Sequence, residues 1–415
     1  MRIDSDQWGE IMDSLTRNKA RTFLTAFGIF WGVFMLMILM GGGQGLQEAL
    51  GKTFAGFASN SGFIVADQTS EPYGGYQTGR RWKLKQEDLQ RVKNLVPEVD
   101  VVAPVTFGSN STVVYQDKNS RNATIKGFTE EYNKIEQVPI KEGRLLNDAD
   151  NNQRRKVCIV GKRIVSDLFP DSISPLGKFI KVDGVQYQIV GVNNKNRGGI
   201  SIGGTPDRTI FLPYNTLTTI YNRQTDVDLM AYTVKDGHTV TEVQEKIADL
   251  LKRIHKIHPK DTKAVQKINA EAIFQMVDSL FKGISILIWM IGLGTLAAGA
   301  IGVSNIMMVT VRERTSEIGI RRAIGATPTD ILVQTMSESL VLTLAAGLTG
   351  ICMAVGILAI IENNASDPFT DSNFQVPFWT AMGAALLLSV LGVLAGTGPT
   401  LRAMSIKPVD AMREE

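Results

Sequence analysis

Four stretches of this chain lack Asp, Glu, Lys and Arg for long enough to cross a bilayer, and they are spread unevenly along it. They run Thr22–Gln47, Gly283–Val311, Ser339–Ile361 and Ser372–Leu401. A helix rising 1.5 Å per residue needs about 20 apolar residues to cover ~30 Å of hydrocarbon. The apolar part of the first and last is narrower, near Phe23–Met40 and Val376–Leu394. Residues 48–281 are polar and turn-rich and hold no comparable window. The mean hydropathy of +0.03 therefore averages two unlike parts.

Basic residues in the short flanks set the orientation. Arg2, Arg17, Lys19 and Arg21 precede the first window; Arg312, Arg314, Arg321 and Arg322 follow the second; Arg402, Lys407 and Arg413 follow the fourth. The connection between windows three and four carries Glu362, Asp367 and Asp371 and no base. Both termini and the 312–338 loop are expected in the cytoplasm. The expected fold is a membrane protein of four transmembrane helices, with a large extracytoplasmic α+β domain inserted between spans one and two on a helical stalk. The segments are a cytoplasmic amphipathic helix (1–21), span one (22–47), the outer domain (48–281), span two (282–311), a cytoplasmic loop (312–338), span three (339–361), a short external loop (362–375), span four (376–401) and a tail (402–415). The first window reads as a retained span. It ends in Gly41-Gly-Gly-Gln-Gly45 without a small-x-small cleavage site. Cys158 and Cys352 fall in different compartments, which argues against a disulfide between them. A net charge of +3 gives no footprint for nucleic acid.

Trp8, Ile11, Met12 and Leu15 share one helical face, as in a helix lying on the inner leaflet. Residues 48–60 and 266–282 look helical, with Leu50, Phe54 and Phe57, then Ile273, Val277, Leu280 and Phe281, recurring at three to four; they are the expected stalk. Between them, strands are expected at Val101–Val105, Ser111–Tyr115, Thr124–Gly127, Val157–Val160, Phe179–Val182, Tyr187–Val192, Thr209–Leu212 and Leu229–Val234, and helices at Gln86–Asn94 and Thr239–His255. Turns crowd 142–207, which reads as a β-rich module inserted between α/β parts at 61–141 and 208–265, with Gly198–Gly204 as a mobile loop.

Enzymatic signals are weak. Gly45-Leu-Gln-Glu-Ala-Leu-Gly51-Lys52-Thr53 has five residues between its glycines where a phosphate-binding loop needs four, and no strand precedes it. His255 and His258 lack a nearby third metal ligand and read as a solvated helix end before Pro259. No nucleophile–base set is recognisable. The windows hold no ionisable residue of the kind ion-driven carriers use at membrane depth, so energy for transport would come from elsewhere. Small residues recur at spacing four: Gly28 and Gly32; Gly294, Ala298 and Gly302; Ala346, Gly350 and Ala354; Gly392 and Gly396. Such faces allow close helix packing, and a homodimer joined through spans one and two is expected.

In the 312–338 loop, Glu313–Ile324 favours a helix, Gly325 stops it, and Thr327-Pro328-Thr-Asp330 caps a new helix leading into span three. Physical chemistry alone leaves two readings open, a projecting functional helix or an ordinary connector with positive-inside arginines.

The run Glu313–Ala326 resembles the cytoplasmic loop of MacB/FtsX-type ABC transporter permeases. Asn18–Gly32 looks like that family's entry into its first span, and Gly398–Arg413 is similar to its C-terminal signature. Lys141-Glu-Gly-Arg144, Pro175-Leu-Gly-Lys178 and Val190-Gly-Val192 resemble its periplasmic core domain. The resemblance implies that Glu313, Arg314, Glu317, Ile318, Gly319, Arg321, Arg322 and Gly325 belong to a coupling helix seated on a cytoplasmic ATPase. It further implies a non-catalytic permease subunit in the bacterial inner membrane that binds no cofactor itself and acts as a dimer. ATP would be used by a separate ATPase subunit, since MacB carries its ATPase on the same chain and no such signature is recognised here. Motion would pass to the outer domain for efflux of a periplasmic substrate, with a periplasmic adaptor and outer-membrane channel as further partners. Lipoprotein release, regulation of a cell-wall hydrolase, and a membrane-anchored receptor or scaffold are the alternatives.

Overall fold

A computed structural model describes residues 19–53, 56–170, 173–194, 201–223, 225–364 and 375–405. The expected amphipathic helix up to residue 18, residues 195–200 of the glycine-rich stretch, 365–374 of the external loop and the tail beyond 405 lie outside them. The chain divides into two units: Leu50–Ser279, and Met1–Ala49 with Leu280–Glu415.

In chain order the elements are α1 (Lys19–Thr53), β1 (Ser61–Ala66), β2 (Leu84–Lys85), α2 (Gln86–Leu95), β3 (Val99–Phe107), β4 (Ser111–Tyr115), β5 (Lys118–Phe128), β6 (Ile140–Gly143), α3 (Asp148–Asn152), β7 (Val157–Gly161), α4 (Lys162–Leu168), β8 (Phe179–Val182) and β9 (Val185–Asn193). There follow β10 (Thr209–Pro213), α5 (Tyr214–Ile220), β11 (Asp226–Val227), β12 (Leu229–Val234), α6 (Val240–Ile254), β13 (Val265–Asn269), α7 (Ala270–Glu313), α8 (Thr315–Ala323), α9 (Pro328–Asn364) and α10 (Phe378–Met404).

The inserted unit is built on one sheet. Strands β10, β7, β9, β8, β4 and β5 pair in sequence, and β10 then pairs in parallel with β5, closing a ring. From β5 the sheet runs on antiparallel through β3, β12 and β1 to the edge strand β13. The ring encloses Val113, Ile125, Val160, Tyr187 and Leu212. Helix α6 buries Val243, Ile247 and Leu251 on the open sheet, at the spacing of one helical face. Each such side chain contributes roughly 1.5–3 kcal/mol relative to exposure. The turn-rich stretch 142–207 does not stand apart within this sheet: its strands β7, β8 and β9 complete a ring with β4, β5 and β10, which lie outside it.

Three short motifs of the sequence meet on β9. Gly143 has φ +91°, and a Cβ there would run into the Val190 carbonyl. Arg144 donates its amide to that carbonyl at 2.9 Å, and Gly177 donates to the Ile189 carbonyl at 2.8 Å. The glycines at 143 and 191 let β6 and β9 approach closely.

The expected stalk needs correction at both ends. Gly56–Asn60 is not helical; Phe57 bridges to Glu136 and packs edge-on against Phe63. Residues 266–269 belong to β13, so Ile273, Val277, Leu280 and Phe281 ride on a helix that starts only at Ala270. Pairing with β1 outweighs local helical preference for 265–269.

Among the described residues, the second unit contains four helices long and apolar enough to cross a membrane, α1, α7, α9 and α10. Gly32 admits the Thr295 backbone, 3.3 Å from where its Cβ would be, and Gly350 admits the Phe30 carbonyl at 2.8 Å. Gly392 and Gly396 take Thr343 and Ser339, and Ser339 donates to the Gly392 carbonyl at 3.0 Å. Gly28 faces Gly299 of the same chain. Gly294, Ala298 and Gly302 are turned differently: nothing lies within 4 Å of a Cβ at either glycine, and Ala298 is exposed. The face of α7 that meets α1 is displaced around the helix, at Gly292, Leu296 and Gly299.

Candidate coupling site between the second and third long helices

Helix α7 ends at Glu313, and a single residue, Arg314 (φ −101°, ψ 14°), separates it from α8. The bend is local, because the Arg314 amide still donates to the Thr310 carbonyl and the Arg314 carbonyl accepts from Ile318. Helix α8 closes with a Schellman pair. Ala326 donates to the Arg321 carbonyl at 3.0 Å and Gly325 to the Arg322 carbonyl at 3.3 Å. Gly325 has φ +116°, a conformation suited to glycine. One residue later Thr327 caps α9: its Oγ1 accepts from the Asp330 amide, and Asp330 accepts from the Thr327 amide at 2.9 Å. Nine residues of helix are thus held between two firm turns.

The inner face of α8 is tied down. Ile318 packs on Val311, Ile331 and Ala403. Arg314 Nη1 lies 3.3 Å from Glu338 Oε1 on α9. Arg321 reaches Gln334 of α9 at 3.1 Å and Glu317 of its own helix at 3.0 Å. Arg322 donates to the Met404 carbonyl at 3.0 Å, satisfying a terminal acceptor of α10 at the negative end of its dipole. A shallow, open cleft runs along the contacts to α9, lined by Arg314, Glu317, Arg321, Gln334 and Glu338.

The outer face carries Glu313, Ser316, Glu317, Ile320, Ala323 and Ile324. Ile320 is 49 % and Ile324 82 % exposed. Of the residues expected to form the interface, Glu313 and Glu317 are exposed, and Glu317 also lines the cleft and accepts from Arg321. Ile318 packs inward, Gly319 is buried, and Arg314, Arg321 and Arg322 turn to partners in the same chain; Gly325 ends the helix. Sequence reasoning missed Ile320, Ile324 and Glu338. A signal existed for the first two, because positions 318 and 320 differ by about 200° around a helix and cannot point the same way. Glu338 stands immediately before a charge-free window, where a carboxylate calls for a partner.

This arrangement offers a surface and a brace. Among the described residues no group of three His, Cys, Asp or Glu could hold a metal ion. His255 instead bonds Asp88 at 2.9 Å, and His258 packs edge-on against Tyr73.

Residues 22–250 match the MacB-like periplasmic core domain, and residues 289–408 match the FtsX-like permease C-terminal domain. The macrolide export ATP-binding/permease protein MacB of Bdellovibrio bacteriovorus is 28% identical over 97% of this chain, which spans 60% of that relative's length. An uncharacterized ABC transporter permease of Bacillus subtilis, YknZ, is 28% identical over 97% of this chain and 98% of its own. The periplasmic region of MacB from Actinobacillus actinomycetemcomitans has a TM-score of 0.43 at 21% identity, covering 54% of this chain and 94% of that one. The core-domain match begins in the first long helix and takes in most of the inserted unit, and the permease match takes in the other three helices and the braced α8. With more than half its length in the first match alone, the chain is a multi-pass membrane protein that belongs to the MacB-like ABC transporter permease family.

Proposed function

We propose that the chain is a non-catalytic permease subunit. In this reading, ATP-driven motion of a cytoplasmic ATPase enters at α8 and is passed to the inserted domain on the outer side of the bacterial inner membrane, for efflux of a periplasmic substrate. The observation that carries it is the outward pair Ile320 and Ile324, one turn apart on a helix closed by a Schellman turn and held by neighbouring helices. Exposed aliphatic side chains at that spacing suit a groove on a partner protein. Basic residues flanking the helices favour cytoplasmic termini and a cytoplasmic α8. The Bacillus permease, matched over nearly its whole length, supports an ATPase on a separate chain. A second protomer, a periplasmic adaptor and an outer-membrane channel complete the proposed assembly. The name of the Bdellovibrio relative, a macrolide exporter, favours efflux over lipoprotein release.

The test is co-purification from detergent-solubilised membranes, followed by hydrolysis and export assays on Arg321→Glu combined with Arg322→Glu. That variant removes the hydrogen bonds of Arg321 to Gln334 of α9 and of Arg322 to the Met404 carbonyl of α10. We expect the wild type to capture an ABC ATPase, and the variant to lose permease-dependent hydrolysis and export by about tenfold or more. Full coupling in the variant overturns the assignment of α8. A wild type that captures no ATPase favours a receptor or scaffold.

A further inference from the structure

Resting on the reading of α8 as the entry point for force, we propose that the Arg314–Glu338 ion pair is the fulcrum of coupling, a positioning contact that makes a displacement of α8 move α7 and α9 together. Three observations combine. Arg314 is the one non-helical residue between α7 and α8, so any push on α8 would be relieved by bending there unless the residue is pinned. Its side chain is pinned, to a residue 24 positions along the chain and three turns into α9. The pair is also sheltered: the Arg314 side chain is 19 % exposed and that of Glu338 6 %. Shelter reduces screening by salt and water, so the contact keeps its geometry under load.

Glu317 lines the same cleft and is engaged by Arg321 of its own helix. The other ties of α8 act farther along it, Arg321 on Gln334 and Arg322 on the Met404 carbonyl. Arg314 alone sits on the bend. Losing it would leave α8 folded and its outer face intact, while freeing the angle between α8 and the two long helices.

The test uses the full-length permease with its co-purified ATPase in nanodiscs, and the permease alone for hydrogen–deuterium exchange. The variants are Arg314→Gln, Glu338→Gln, the reciprocal pair Arg314→Glu with Glu338→Arg, and the conservative Arg314→Lys. Either glutamine variant should capture ATPase within twofold of wild type and keep its KM for ATP, while permease-dependent kcat falls about tenfold. Amide exchange in 315–326 should rise about fivefold in the permease alone. The reciprocal variant should recover both readouts to within threefold, and Arg314→Lys should retain at least half the coupling should the reciprocal protein fail to fold. Glutamine variants that stay coupled, or that lose ATPase capture in proportion to activity, overturn the fulcrum. If wild type captures no ATPase the functional reading has failed on its own account, and unchanged exchange in 315–326 then overturns the brace independently.

Discussion

Two ion pairs in this molecule share one chemistry and differ in enclosure. In the inserted domain, Lys126 and Glu136 are 1 % and 3 % exposed at 2.7 Å. Tyr132 donates to the same carboxylate at 2.6 Å, Ser201 donates to its other oxygen at 2.7 Å, and Lys126 also reaches the Tyr132 hydroxyl at 3.0 Å. Burial works to raise the Glu136 carboxyl, but the Lys126 charge and the converging hydrogen bonds outweigh it and hold Glu136 below the ordinary carboxylate range. At the base of α8, Arg314 and Glu338 are longer, at 3.3 Å, and keep an edge to water. A sealed, multiply bonded pair specifies one arrangement of a sheet. A less enclosed pair at a bend holds the angle between helices.

The strongest way to break this contrast is Lys126→Met. It removes the Lys126 charge from the buried Glu136 carboxylate and should cost the inserted domain about 3–5 kcal/mol. Denaturant-dependent amide exchange over β5 in the full chain measures it. Adding Glu136→Leu should recover most of the loss, because an apolar replacement of both partners removes the stranded charge. A double variant as weak as the single would show that the pair itself stabilises the sheet.

A smaller effect is expected at Asp261. Its carboxylate accepts from Ser70 Oγ at 2.8 Å and from the amides of Ser70, Lys263 and Ala264, fastening the 67–82 segment to the stretch before β13. Burial alone would raise this carboxyl, but the hydrogen bonds bring it down to about 2. A depressed carboxylate stabilises the fold above its unfolded value near 4 and loses that contribution as pH falls towards 2. Asp261→Asn should cost about 1–3 kcal/mol at neutral pH. Acid-induced loosening of 67–82 between roughly pH 4 and 2, followed by limited proteolysis, should be present in wild type and absent in the variant.

What the sequence made legible follows the same division. Strands β4, β8 and β12 have the bounds their alternation predicts, and α2 and α6 lie within one or two residues of expectation. These are local patterns. Strands β1 and β13 went unread because their pairing joins residues some 200 apart, and β13 presents mostly exposed side chains at a sheet edge. Lys126 in a core was equally invisible, since it becomes tolerable through partners such as Glu136 and Tyr132, which arrive from the stretch after β5. At α8, helix-forming residues and Gly325 mark the helix and its C-terminal end, while the bend at Arg314 that begins it carries no local signal. Its outer face was half legible: about 200° of helix separates positions 318 and 320, but which of them packs against α9 and α10 is a tertiary matter. Ile318 is expected at the partner surface and packs inward, while Ile320 and Ile324, which are not among the expected site residues, are exposed.

The smallest effect on the fold is expected where the effect on function should be large. Ile324 is 82 % and Ile320 49 % exposed, so their replacement by serine removes little buried area from the chain itself. Ile320→Ser with Ile324→Ser should change stability by no more than about 0.5 kcal/mol per site. Their exposure on a capped helix beside a bilayer is otherwise a liability, since aliphatic groups at a water-facing tip invite association. If that tip enters a groove on the ATPase, the double variant should weaken capture by about tenfold or more, with unchanged exchange in 315–326. The Arg314 and Glu338 variants should show the opposite signature, near-normal capture with loosened 315–326. Identical behaviour of the two sets would mean that docking and bracing are one property of α8. Opposite signatures would separate the surface that receives the partner from the joint that carries its motion.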